Sequence, residues 1–262
     1  MTIITDPWFY VLAVPAVIAL GLSKGGFAGM GQMATPMLAL VMPPLEAAAI
    51  MLPIMIVQDG TAVWVYRGDW SRRIYMIFVP GAVIGVGLGW LLAAHISEAT
   101  VRVATGAATI TFVLYTWIGP KKVADEVADD IGRKKGASAP AGLFWGALSG
   151  FASIIAQAGG PPFQIWVLPQ NLKKMTYVGT IAMVFATLNW LKVGPYIALG
   201  QFSTKGLGTS LALLPLAIAA NLFGFWLVRV TPTAIFYKVT LILLFVISLE
   251  LVRGGTLQLL HG

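Results

Sequence analysis

Residues 74–94, IYMIFVPGAVIGVGLGWLLAA, run for 21 positions without a charged side chain. At about 1.5 Å of rise per residue, a helix of that length reaches across a hydrocarbon layer of about 30 Å. Inside lipid no water is available to the backbone, so a spanning segment must be a helix or part of a closed barrel. The rest of the chain has the same character. Of its 262 residues, 58% are hydrophobic and only 10% charged, where a soluble domain carries about 25% charged residues. That is too little polar surface to wrap a soluble globule, so the chain reads as an all-α polytopic membrane protein. Five more charge-poor spans follow: 46–66 with Asp59 inside it, 99–118 with Arg102 near its start, 175–197 with Lys192 inside it, 207–228 and 232–253. The N-terminal MTIITDPWFY lacks a basic n-region, so the first hydrophobic segment is expected to stay in the mature protein.

Composition removes several kinds of chemistry. Without cysteine there are no disulfides, thiolate metal sites or cysteine nucleophiles. The two histidines, His95 and His261, fall in an expected loop and beside the C-terminus, which leaves no histidine-built metal centre. No P-loop occurs, so direct ATP hydrolysis is not expected. The sequence therefore argues against an enzyme and calls for no cofactor. The net charge of +7 fits loops biased toward the cytoplasm. It does not fit a nucleic-acid surface, which would need a soluble domain to carry it.

Two stretches, 8–42 and 141–169, are too long for one helix and are broken near the middle. The breaks are SKGGFAGMGQMATP, residues 23–36, and SGFASIIAQAGGPP, residues 149–162. They align: Gly26, Phe27 and Ala28 with Gly150, Phe151 and Ala152, then a glutamine (Gln32, Gln157), then a proline (Pro36, Pro161). Downstream, RGDW at 67–70 corresponds to LGQF at 199–202, and PGAVIGVGLGWLL to part of PLAIAANLFGFWLV. The chain thus reads as two repeats, 1–120 and 141–262, joined by a charged cytoplasmic linker at 121–140, KKVADEVADDIGRKKGASAP. Each repeat is a broken segment followed by three spans.

If each broken segment returns to the side it entered from, each half crosses an odd number of times and the copies have inverted topology. With both termini outside, Arg67, Arg72, Arg73, the linker, Lys173, Lys174 and Arg229 all fall inside, as the positive-inside rule requires. Four simple crossings per half would put Lys173 and Lys174 opposite Arg72 and Arg73. Trp64, Trp70, Trp117 and Trp226 then fall near cytoplasmic ends, a depth that suits amphipathic rings.

A broken helix is tolerated at membrane depth where it lines a cavity, and a pair of them in an inverted repeat points to a transport site. Half-helix N-termini carry partial positive charge, and glycines let the backbone approach a ligand; both favour an anion. The candidate substrate-binding residues are Lys24, Gly25, Gly26 and Gln32 in the first copy, Gln157, Gly159 and Gly160 in the second, and Lys192. Lys24 faces a cavity, pairs with a carboxylate or snorkels. Asp59 and Lys192 occupy nearly corresponding positions in the two halves. They pair across the pseudo-twofold axis, or Asp59 carries a coupled proton while Lys192 meets the anion, or both make plain structural contacts. Asn189 and Asn221 read as cavity hydrogen-bonders or interhelix glue. Lys238 and Arg102 are expected to snorkel, and Glu250 and Arg253 to pair. The four-residue glycine spacing in GAVIGVGLG suits close helix packing.

These residues have a family likeness. GLSKGGFAGMG followed by TP, then PPLEAAAIMLPI, a basic loop after DW, PGAVIGVGLG and a degenerate second copy resemble the TauE/SafE family over nearly the whole chain. Its members are sulfite and organosulfur anion exporters or permeases. The resemblance implies a secondary transporter of sulfite or a small organosulfur anion, such as a sulfonate, in a bacterial-type inner membrane, with protons as one candidate coupling ion. Many members have a more glycine-rich run where this chain has SKGGFAGMG, which makes Lys24 a specificity candidate. A passive anion channel and a carrier of a small carboxylate without sulfur stay open as alternatives, as does a homo-oligomer. Apart from lipid and the anion no partner is implied, and no nucleic acid.

Overall fold

The computed structural model describes residues 3–24, 31, 34–93, 95–118, 138–167, 170, 172–230 and 234–261, and every regular element among them is a helix. The helices are α1 (Pro7–Lys24), α2 (Ala34–Leu38), α3 (Pro44–Tyr66), α4 (Arg72–Ala93), α5 (Glu98–Ile118), α6 (Ala139–Ala156), α7 (Gly160–Val167), α8 (Lys174–Ala198), α9 (Thr204–Val230) and α10 (Ala234–His261). Among the described residues, α1, α3, α4, α8 and α9 are long and apolar enough to cross a membrane, and α6 is a shorter apolar helix. The protein is a multi-pass helical membrane protein. Its outward side chains fit that setting: Trp8, Trp64, Met76 and Leu91 are all exposed. Of the expected charged linker, only 138–140 lies within the described residues.

Helix ends follow local chemistry. α1 closes on Lys24, a cation at the negative end of the helix dipole, with Gly25 and Gly26 next in the sequence. α3 opens on a proline with Glu46 in its first turn, where a missing N–H costs nothing and an acid is favoured. The second break is narrower than the motif that announced it. α6 continues through SGFASIIA to Ala156, and only Gln157, Ala158 and Gly159 separate it from α7. Gly150 therefore lies inside a helix, against the backbone of Ala82, and has no part in the break. The first copy of that triplet, residues 26–28, lies outside the described residues.

Glycines decide the tightest contact. A Cβ at Gly81 or Gly85 on α4 would fall on the carbonyl groups of Leu143 or Ala147 on α6; one at Gly146 or Gly150 would fall on those of Phe78 or Ala82. The two backbones touch, the use expected for small residues at four-residue spacing. Phe78 then packs edge-on against Phe163, at 5.1 Å between centroids, and stacks with Trp166 at 5.7 Å. Both partners are on α7, so the short helix after the break is anchored by aromatic burial in the core.

Contacts also fix relative directions. α4 and α6 run parallel, since Gly81, Gly85 and Gly89 meet Leu143, Ala147 and Ile154 in order. α1 and α9 are parallel as well: Ile4, just before α1, bonds Thr209, while Gly21 meets Ala220. α3 and α8 are antiparallel. Leu52 clusters with Tyr196, Asp59 bonds Asn189, and Ala62 and Tyr66 cluster with Ala182. α5 and α10 are antiparallel too, with Gly106 facing Val252 and Gly255 facing Val103.

Candidate functional site

The polar residues that sequence places at membrane depth gather where α1, α3, α6, α7 and α8 meet. They border a cavity of about 130 Å³, close to the roughly 150 Å³ that accommodates a benzene-sized molecule. On α8 the lining residues Phe185, Asn189 and Lys192 recur at helical spacing, α6 contributes Ser153, and the break just after it contributes Gln157.

Lys24 is not a free cation. Its ammonium forms an ion pair with Asp59 on α3, with side-chain exposures of 13% and 1%. The other oxygen of Asp59 accepts from the Asn189 amide at 2.5 Å. Asp59 is thus held from two helices, and it is the only buried carboxylate among the described residues. Asp59 and Lys192 do not bond each other; Lys24 takes the carboxylate. Removing one member of a buried pair leaves the other charge uncompensated, which costs about 3 kcal/mol or more, whereas replacing both can be neutral. Asp59→Asn is accordingly expected to lower unfolding stability in detergent by about 3 kcal/mol, and the double variant Lys24→Met, Asp59→Leu to recover most of it. Chemical denaturation of the three proteins reads this directly.

Lys192 stands differently. It is 1% exposed and donates to Gln157 Oε1 at 2.5 Å and Ser153 Oγ at 3.1 Å. Both partners are neutral, and Lys192 makes no ion pair among the described residues. An ammonium has three donors. Two are committed among the described residues, and Lys192 lines the cavity.

Gln157 supplies the complementary half. Lysine accepts no hydrogen bond, so the contact with Lys192 fixes which end of the Gln157 amide is oxygen. The Nε2 group is buried and has no acceptor among the described residues. The backbone there is unusual as well. Gln157 has φ 53, and it is the one non-glycine residue at positive φ among the described residues. Glycine is the usual residue at such a helix C-terminus, and a side chain in this conformation costs roughly 1–2 kcal/mol. The chain keeps glutamine where the backbone favours glycine, at the position where the side chain reaches Lys192.

The break leaves its own mark on α6. The Gln157 and Ala158 amides turn back to the carbonyls of Ser153 and Ala152, and the Ile154 carbonyl accepts the Tyr196 hydroxyl at 3.1 Å. Tyr196, fully buried one turn beyond Lys192, thereby caps a carbonyl at a helix end. Across the break, Gly160 lines the cavity, while the Gly159 carbonyl accepts from Ser149 at 2.6 Å. Prolines at 161 and 162 have no N–H. Of the four amides that a helix start leaves unpaired, only those of Gly159 and Gly160 exist here.

Gly25, Gly26 and Gln32 lie outside the described residues. Asn189 belongs to the cavity, whereas Asn221 is interhelix glue, donating to the Gln58 carbonyl at 3.3 Å and to Thr61. Arg102 turns inward instead of snorkelling and donates to the carbonyls of Ala39 at 3.1 Å and Met42 at 3.4 Å, just past α2. The Lys238 side chain is outside the described residues. Glu250 and Arg253 pair as expected, with contacts of 2.6 and 2.8 Å. Sequence reasoning passed over Ser153 and the aromatic lining of Phe163 and Phe185. The signal for Ser153 was present, since it lies one turn before Gln157 and shares its face.

A family model described as Sulfite exporter TauE/SafE matches residues 13–251. Neither the curated proteins nor the solved structures contain a match to the chain.

Proposed function

We infer from the TauE/SafE sulfite exporter family, to which this chain belongs, that it is a secondary transporter carrying sulfite or a small organosulfur anion. In this reading the anion sits between the second helix break and α8. The observation that carries it is Lys192: a buried cation with neutral partners, on a cavity that also receives the Gln157 amide, with one Lys192 donor and the Gln157 Nε2 group unpartnered among the described residues. Donors without acceptors at membrane depth call for a ligand rich in acceptors and bearing negative charge. Lys24, neutralised by Asp59, contributes to the cavity wall more than to the net charge.

Two repeats of inverted topology account for the helix directions. The fourth helix of one repeat lies parallel to the first of the other on both sides (α4 with α6, α9 with α1). Equivalent helices, α3 with α8 and α5 with α10, pack antiparallel, as a twofold axis in the membrane plane demands. The 67–73 loop adjoins the start of α8, where Ser71 N–H donates to Thr180 at 2.9 Å and Gly179 meets the Asp69 carbonyl. Exposed Arg67, Arg72 and Arg73 therefore share a side with exposed Lys173. This supports a cytoplasmic face there, with the linker, and termini on the opposite face.

Asp59 is the coupling residue of this reading. It bonds one cavity lysine directly and holds Asn189, one turn from the other. A proton delivered to Asp59 would release Lys24 toward the cavity and so link anion occupancy to protonation. Lys192→Met tests the binding site: the purified variant is expected to lose saturable sulfite binding and keep its fold. Wild-type binding in that variant rules the site out.

A further inference from the structure

We propose that Tyr196 and Tyr66 are paired gate residues. In this structure the Tyr196 hydroxyl, donating to the Ile154 carbonyl at 3.1 Å, closes the cavity on the side of the chain termini. In the oppositely open state Tyr66 makes the equivalent bond, to the Leu22 carbonyl, and Tyr196 lets go. Gating by this pair rests on the inverted-repeat reading and is independent of which anion binds at Lys192.

The crossing of α3 and α8 supplies the equivalence. At its centre Asn189 donates to Asp59 at 2.5 Å. Leu52, seven residues before Asp59, clusters with Tyr196, seven after Asn189; Tyr66, seven after Asp59, clusters with Ala182, seven before Asn189. A twofold axis through the central contact exchanges Tyr66 with Tyr196, Leu52 with Ala182, and Ala48 with Val178. The two ends are built alike. One cluster holds Ala48, Leu52 and Tyr196; the other holds Val178, Ala182 and Tyr66. The neighbouring helices keep the same relation. Gly89 of α4 meets Ile154 of α6, and its counterpart in the second repeat, Gly224 of α9, meets Leu22 of α1. Leu22 thus corresponds to Ile154, the carbonyl that Tyr196 holds.

Alike in construction, the two ends differ in exposure. The cavity is lined by Val178 and Ala182 of one cluster, and among the described residues Ala48, Leu52 and Tyr196 of the other stay outside its lining. Tyr177 and Val178 are partly exposed, near the start of α8 beside exposed Lys173, whereas Ala48, Leu52 and Tyr196 are buried. A path open at one end and sealed at the equivalent other end is one member of a pair of states, interconverted when the two repeats exchange conformations. That exchange carries the seal from Tyr196 to Tyr66, whose ring packs edge-on against Phe225 in this structure. A hydroxyl–carbonyl bond made in one state only biases the equilibrium, because losing it strands a buried carbonyl.

The chain has no cysteine, so single reporters are unambiguous. Ala48→Cys and Val178→Cys, with Leu52→Cys and Ala182→Cys as a second pair, are labelled by a membrane-impermeant maleimide in intact cells and in inside-out vesicles. Val178→Cys is expected to react from the cytoplasmic face, and Ala48→Cys slowly and from the outer face. Adding Tyr196→Phe is expected to raise Ala48→Cys labelling and lower Val178→Cys labelling, each by about fivefold. Adding Tyr66→Phe is expected to lower Ala48→Cys labelling. Opposed shifts from two conservative substitutions would not arise from tyrosines that only pack. Unchanged Ala48→Cys labelling in Tyr196→Phe, or shifts of the same sign in both variants, overturns the gates while leaving the inverted repeats standing. Both reporters reacting from one face removes the inverted repeats and the gates together.

Discussion

Lys192→Met is expected to lower sulfite transport in proteoliposomes by about 100-fold, with thermal stability unchanged or raised. Methionine keeps the length and apolar stem of lysine and removes only the ammonium. In the wild type that group is 1% exposed and bonded to two neutral oxygens, so it meets the cost of burial without a directly bonded counter-charge. Replacing buried charge by apolar volume is commonly neutral or stabilising. Hydrogen bonds to charged groups contribute about 1.5–3 kcal/mol, or about 10- to 100-fold in affinity. Loss of the direct Coulomb attraction of a buried ammonium places the effect at the upper end of that range. The two readouts therefore move apart. A purely structural Lys192 would give a destabilised protein whose transport falls only in proportion to the folded fraction.

Gln157→Gly separates the same two roles through the backbone. Glycine is at home at φ 53, so the variant is expected to be more stable than the wild type by up to about 1 kcal/mol, less the lost contact with Lys192. Transport is nevertheless expected to fall by at least about 10-fold. The Nε2 donor that has no partner among the described residues disappears, and Lys192 loses the acceptor that orients it. Gln157→Asn tolerates the left-handed conformation better than most residues but is one methylene too short to hold Lys192 in the same place. It is expected to retain the stability and recover little transport. A glycine variant that transports normally would make Gln157 a tolerated irregularity of the chain.

Much of this architecture is legible without coordinates because it follows from what lipid forbids. The stretch 46–66 had to be a helix, and α3 runs from Pro44 to Tyr66. The broken segments were visible because glycine and proline interrupt apolar runs. Where the second one breaks was not visible: FASIIA is apolar and carries no helix breaker, so α6 persists to Ala156, past the glycine that seemed to open the break. Lys24, Asp59 and Lys192 stood out as charges at membrane depth. Their pairing did not, since Asp59 is within reach of either lysine by span position alone. The approach of α1 to α3 gives the carboxylate to Lys24, and the packing of α8 on α6 turns Lys192 to neutral partners. The conformation of Gln157 was invisible for a related reason. Nothing about glutamine favours positive φ, and the tertiary contact with Lys192 accompanies it there.

Flux in proteoliposomes containing the purified wild-type chain tests the anion-transport reading most directly. Labelled sulfite, sulfoacetate, thiosulfate and sulfate are compared, each with and without an imposed proton gradient. Saturable flux, selective among these anions and at least about 100-fold lower in Lys192→Met, is expected, with stimulation by the gradient that Asp59→Asn abolishes. No protein-dependent flux of any sulfur anion, or flux indifferent to Lys192, would contradict an anion pathway through this cavity.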